Sequence, residues 1–342
     1  MRAGPDRAAS LPRPALPAFS VTTARTSHER HPLMRILTVG AGAVGGFFGA
    51  RLATAGQDVS FLVRPARAKA LEARGLRVAG QGEQLHLTPR LVTAGAVGGP
   101  YDLVLLSVKA TALRTALADI EPAVGPDTAV VPLLNGVAHL DALVARLGAG
   151  AVLGGVAKVV TTLNDDGDIL RMAPPSVIVT GELDARPSAR VDAIRGVLAE
   201  AGIDSPATED IVAAMWHKWV FISTLVALTC LMRGTVGEVN AVRGGAALAT
   251  ALVSETAAVA EAAGHPMTEA ELAHTTSTVT TAGSPLTPSL YRDLVAGAPT
   301  EADHVLTDLT LRARALGVAT PLLDLAALQL RVHEHRLAAG RS

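Results

Sequence analysis

The stretch Met34-Arg-Ile-Leu-Thr-Val-Gly-Ala-Gly-Ala-Val-Gly-Gly-Phe-Phe-Gly49 leaves this chain few folds to choose from. It reads as a short buried strand, Ile36 to Val39, then a glycine turn, then a helix to about Ala55. Gly40, Gly42 and Gly45 make the spacing G-x-G-x-x-G, with Ala43 and Val44 inside the turn. The first glycine permits the turn, the second lets a pyrophosphate approach the backbone, and the third lets helix and strand pack closely. The helix start presents free N–H groups and the positive end of its dipole to phosphates. A strand, turn and helix in that order predict a Rossmann-type dinucleotide site.

The next strand, Gln57 to Val63, sets the choice of dinucleotide. An acid at its end would accept from a ribose 2′-hydroxyl, whereas an arginine pairs with a 2′-phosphate. Arg64 stands there, followed by Arg67 and Lys69, and Asp58 lies too early. We therefore expect NADP(H), not NAD(H). Further strands are expected at Tyr101 to Val108, ending in Lys109, and at Thr128 to Leu134, ending in Asn135-Gly136. In an open parallel sheet, ligands sit beyond the carboxyl ends of the strands. That rule places Lys109 and Asn135 at the crevice. Gly75 to Thr88 reads as a hairpin, and Val152 to Thr162 and Ser176 to Thr180 read as further strands.

Beyond about residue 207 the pattern is helical: Glu209 to Met232, Ala246 to Ala263, Glu269 to Thr281, Glu301 to Leu316 and Leu322 to Leu337. The expected fold is α/β, with a Rossmann domain over 34–207 and an all-helical domain over 208–338. The helical part leaves room for a homodimer contact. Residues 1–33 are Arg- and Pro-containing without periodicity. We read them as a disordered extension or a mis-assigned start, with Met34 the true first residue.

A formal net charge of −1 and only 3% aromatic residues argue against a nucleic-acid binder. The apolar run from Trp219 to Met232 is shorter than the ~20 residues a bilayer span needs, so no membrane segment is expected. A single cysteine, Cys230, allows no intrachain disulfide, and the cytoplasm is the expected compartment.

Lys218 lies in Met215-Trp-His-Lys-Trp219, between the chain's two tryptophans. An amine with apolar surroundings loses solvation, its pKa falls, and it suits proton donation to a carbonyl oxygen. Glu301 and His304 have E-x-x-H spacing, but no second motif or further glutamates accompany them, so no metal is expected.

Taken together, the glycine turn, Arg64, Val108-Lys109, Leu134-Asn135-Gly136, Trp216-x-Lys218 and the Ser289, Asp293, Glu301 run resemble the ketopantoate reductase family, collinearly from Met34 to about His335. The resemblance implies NADPH-dependent reduction of 2-dehydropantoate in pantothenate biosynthesis. It implies that Lys218 is the catalytic lysine protonating the ketone oxygen. Glu301 would hold the substrate hydroxyl and support the lysine. Asn135 and Lys109 would bridge nicotinamide and substrate, Ser289 would bind substrate, and Arg64 would clamp the 2′-phosphate.

One departure bears on substrate. The family usually carries asparagines four and eight residues after the lysine; here these are Ile222 and Val226. An unpaired substrate hydroxyl or carboxylate costs about 1–3 kcal/mol. The expected function is reduction of a small 2-oxo acid, with 2-dehydropantoate first. A relative acting on a more apolar 2-oxo substrate and a non-catalytic NADP(H) sensor are the alternatives.

Overall fold

A computed structural model describes residues 33–339; apart from Leu33, the segment read above as an extension lies outside them. The chain runs β1 (Arg35–Val39), α1 (Ala43–Thr54), β2 (Asp58–Leu62), α2 (Pro65–Arg74), β3 (Leu76–Gly80), β4 (Glu83–Leu87) and β5 (Arg90–Val92). It continues with β6 (Leu103–Leu106), a 3-10 turn (Ala110–Ala112), α3 (Leu113–Ile120), β7 (Ala129–Pro132), α4 (Ala138–Leu147), β8 (Leu153–Leu163), β9 (Ile169–Glu182) and α5 (Ala189–Glu200). The elements that follow are α6 (Ile211–Met232), α7 (Val236–Asn240), α8 (Gly245–Ala262), α9 (Glu269–Val279), α10 (Ser289–Val295), α11 (Asp308–Ala315) and α12 (Pro321–Ala339).

The first sheet has the order β5-β2-β1-β6-β7, and every neighbouring pair is parallel. Leu103 to Leu106 are all fully buried, as the continuous apolar run of a strand covered on both faces requires. The strand order reverses between β1 and β6, and a ligand crevice opens at such a switch point.

The hairpin expected at Gly75 to Thr88 forms as β3 and β4, but it does not stay local. It joins the long β8–β9 hairpin in a second sheet, ordered β4-β3-β9-β8. Helix α1 lies between the two sheets, which explains its unusual composition. Phe47 and Phe48 are both fully buried. A Cβ on Gly46 would come within 2.6 Å of Ile169 of the second sheet, and one on Gly49 within 2.5 Å of Phe61 of the first. Side chains at those positions would wedge the layers apart.

Asp210 caps α6 by accepting from the Ala213 N–H at 2.9 Å. The helix is apolar around its circumference and forms the centre of the helical core, where Trp219, Val220, Val226 and Leu228 are fully buried. Among the described residues it is the one helix long and apolar enough to cross a bilayer, and most of it is buried inside the fold. Its first turn packs on the second sheet: Cβ atoms on Gly154 and Gly181 would approach Ile211 to 2.6 and 3.0 Å.

The segment expected to be one helix from Glu301 to Leu316 is irregular. Glu301 precedes the helical turns, Asp303–Thr307 is a π turn, and α11 begins only at Asp308. Such turns widen a helix locally and re-aim its side chains.

Candidate active site

The glycine turn has the three properties its spacing predicts. Gly40 has φ +94°, and a Cβ there would meet the Ser107 carbonyl oxygen at 2.6 Å. A Cβ on Gly45 would collide with the Gly40 carbonyl. A Cβ on Gly42, by contrast, would meet no non-neighbouring atom within 4 Å. Gly42 is also the N-cap of α1 and offers no capping side chain, so the N–H groups at Ala43 and Val44 face an open approach. This is a cradle that fits a dinucleotide pyrophosphate.

Arg64 stands exposed at the N-cap of α2, directly beyond β2. Arg67, one turn further, donates from Nε to the Ala41 carbonyl at 3.1 Å and from its terminal nitrogen to the Gly167 carbonyl at 3.0 Å. It thereby braces the glycine turn against the β8–β9 turn. Burial lowers its affinity for its proton, and Asp168 opposes that effect.

Across the crevice, a cleft is lined on its polar side by Asn135, Ser289, Asp293 and Glu301. Its apolar side is Ile222, Val226, Leu290 and Val305. Residues from the end of β7 and from the helical region, 87 to 170 positions apart in sequence, thus share one small space. Two contacts tie its polar side to the turn after β6. The Ala110 N–H donates to Glu301 Oε1 at 2.8 Å, and Lys109 Nζ donates to Asp293 Oδ2 at 3.2 Å. Glu301 therefore rests on the start of the turn after β6, and it makes no ion pair with Lys218.

Lys218 lies one turn before Ile222 on α6. Ile211, Met215, Lys218, Ile222 and Val226 are spaced four, three, four and four residues apart and share a helix face. The lower part of that face packs on the second sheet, and the upper part lines the cleft. Lys218 sits between these parts, half-buried and with no carboxylate partner among the described residues. Burial pushes its amine down to about 8, and the like charge of Lys158 adds to the effect. Both flanking tryptophans are buried, with ring centres 5.0 Å apart, and Trp219 Nε1 donates to the Val305 carbonyl at 2.9 Å. Trp219 thus ties the helix that carries Lys218 to the segment that follows Glu301.

The neighbouring His217 faces away from the cleft. Its ring contacts Glu271 at 2.9 Å and the Pro266 carbonyl at 3.2 Å. Ser223 and Thr224 are also directed elsewhere, Ser223 to the Val305 carbonyl and Thr224 to Thr256. They do not replace polar groups at Ile222 and Val226. No metal-binding cluster occurs among the described residues, so the Glu301/His304 spacing stays without partners.

Two residues near the lysine escaped the sequence reading. His139, on α4, is 1% exposed, neither ring nitrogen has a protein partner, and its ring centre lies 6.0 Å from that of His304. Burial, His304 and the Lys218 charge together push it down to about 3. The other is Lys158, on β8. No local pattern marks either one, since their neighbours come from distant segments.

Family models match over most of the chain: "Ketopantoate reductase PanE/ApbA" over residues 36–185 and "Ketopantoate reductase PanE/ApbA C terminal" over residues 210–334. The chain belongs to the ketopantoate reductase family. Ketopantoate reductase relatives include the 2-dehydropantoate 2-reductase of Mesorhizobium japonicum, 29% identical over 90% of this chain and 99% of that one. The uncharacterized oxidoreductase YkpB of Bacillus subtilis is 32% identical over 88% of this chain and 99% of its own length. The crystal structure of 2-dehydropantoate 2-reductase from Geobacter metallireducens superposes with a TM-score of 0.80 at 28% identity, covering 87% and 99% of the two chains. A D-mandelate dehydrogenase solved with NADH and anilino(oxo)acetate shares the fold, with a TM-score of 0.80 at 23% identity over 89% and 99%. The ketopantoate reductase family thus comprises 2-dehydropantoate 2-reductases and related oxidoreductases acting on CH–OH donors.

Proposed function

We propose that this protein reduces a 2-oxo acid to the 2-hydroxy acid with NADPH, and that 2-dehydropantoate, the substrate of pantothenate biosynthesis, is the first candidate. The observation that carries the reading is Lys218: a half-buried amine with its pKa drawn down to about 8, one turn from the cleft-lining Ile222. When bound, the reduced nicotinamide supplies the hydride to the oxo carbon. Lys218 holds the proton that the oxo oxygen needs as it becomes a hydroxyl. An amine with that pKa is mostly protonated at neutral pH yet gives its proton up more readily than an ordinary lysine. Asn135 and Ser289 offer polar groups to orient the substrate, and Glu301 offers a carboxylate to its hydroxyl. Holding the reactants in one cleft supplies much of the rate.

Arg64 supports the choice of NADPH. It stands where the adenosine ribose is expected, and a guanidinium there pairs with a 2′-phosphate. The apolar wall of Ile222, Val226, Leu290 and Val305 favours a second reading with the same chemistry, in which the substrate carries a larger or more apolar side chain. NADPH oxidation measured across a panel of 2-oxo acids tests both. Fastest turnover of 2-dehydropantoate supports the first, and fastest turnover of aromatic or long branched 2-oxo acids supports the second. Absence of turnover with every member would overturn both and favour a sensor.

A further inference from the structure

The cleft poses a charge problem. A 2-oxo acid brings a carboxylate, but the face of α6 beyond Lys218 offers it only Ile222 and Val226. The cations nearest the polar side are committed: Lys109 to Asp293, and Arg292 to the Thr287 carbonyl at 3.2 Å. We propose that Lys158 is the counter-ion for the substrate carboxylate, placed beside Lys218 by the packing of α6 on β8.

Strand alternation fixes which way Lys158 points. Gly154 meets Ile211 of α6, Val156 belongs to the α6-centred core, and Ala157 belongs to the core on the opposite face around α1. Lys158 therefore falls on the α6 side, with its cross-strand partner Val177 packed against the same core. The irregularity in β8 begins only after Val159, so the alternation holds through Lys158. From Gly154 to Lys158 the strand advances about 13 Å, and from Ile211 to Lys218 the helix advances about 10 Å. Each lysine thus lies a comparable distance along its own element from the shared Gly154–Ile211 contact. The influence of the Lys158 charge on the Lys218 amine agrees with that placement. Unlike Lys109, Lys158 has no carboxylate partner among the described residues, and it is exposed. Two adjacent amines then divide the work: Lys218 meets the oxo oxygen, and Lys158 meets the carboxylate next to it. Two like charges side by side are unfavourable in the empty site, and an anion relieves them.

This inference rests on the proposed 2-oxo acid chemistry, and the test separates the two. Wild type, Lys158→Gln and Lys158→Arg are assayed with NADPH on the fastest 2-oxo acid of the panel and on its uncharged methyl ester. The ratio of kcat/KM for acid over ester should fall at least about tenfold in Lys158→Gln, as expected for loss of a charged hydrogen bond, and should recover in Lys158→Arg. An unchanged ratio in Lys158→Gln, including equal losses on acid and ester, overturns the counter-ion role while leaving the reductase reading intact. A wild type that reduces no 2-oxo acid overturns both.

Discussion

Glu301 Oε1 accepts the Ala110 N–H at 2.8 Å across 191 positions of sequence. With the Lys109–Asp293 pair beside it, this bond closes the crevice between the strand ends of the first sheet and the helical region. The carboxylate that would hold the substrate thus has a resting partner in the turn that follows β6. Glu301→Gln keeps an oxygen for the Ala110 N–H, so its thermal stability should match wild type within about 0.5 kcal/mol. Its kcat/KM should nevertheless fall about tenfold or more, because a neutral amide makes the weaker bond to the substrate hydroxyl. Paired melting and kinetic measurements check this; equal kcat/KM would remove Glu301 from the site.

The glycine turn gives a contrast between two single-methyl changes. Gly42 has extended backbone and open space, so Gly42→Ala should change stability by less than about 0.5 kcal/mol while weakening NADPH binding through its collision with the pyrophosphate. Gly45→Ala should cost about 1–3 kcal/mol of stability, because its methyl strikes the Gly40 carbonyl. Melting without cofactor and fluorescence titration with NADPH distinguish the two. Equal destabilisation would contradict the geometry of the turn.

Arg64→Ala should lower affinity for NADPH about ten- to a hundredfold and leave NADH nearly unaffected, the loss expected for one charge-assisted bond to a phosphate. Arg67→Ala should weaken both dinucleotides alike, because Arg67 braces the Ala41 carbonyl of the turn they share. Dissociation constants for both cofactors in both variants check the assignment.

His139 gives a pH signature of stability. Its folded pKa of about 3 lies below the ordinary 6.5, so the unfolded chain binds the proton more readily. Stability from this group is complete above pH 6.5 and is lost as pH falls toward 3. Between pH 6.5 and 5 the loss is about 2 kcal/mol. His139→Leu should remove that part of the acid sensitivity, measured by denaturant unfolding at the two pH values. Identical pH dependence in the variant would show that His139 is not buried in its neutral form.

Features with a local cause were legible in the sequence. Gly40, Gly42 and Gly45 carry their constraints within six residues. The alternation of buried strand and helix around them predicted the parallel sheet, and the helical pattern beyond about residue 207 predicted the helical region. Lys218 stood out because two tryptophans flank it. Long-range pairing was not legible. The hairpin at Leu76 to Leu87 and the strands at Leu153 to Glu182 gave no sign that they would meet, since parallel pairing of β3 with β9 links residues some 90 apart. Nor did spacing reveal that Glu301 would rest on Ala110, that Asp303–Thr307 would widen into a π turn, or that the Lys158 charge would bear on the Lys218 amine. Those relations join segments distant in the chain, and each partner is unremarkable in its own segment.

The central claim is that the Lys218 amine gives its proton to the substrate. The pH profile of kcat/KM, measured side by side for wild type and Lys218→Ala with NADPH, tests it most directly. Loss of a general acid should cost about 10²–10⁴-fold. The wild-type rate should fall above pH about 8, where the amine deprotonates. The variant should lose that limb together with most of its rate, while its NADPH affinity stays near wild type. A variant that keeps both the rate and the alkaline limb would contradict the account.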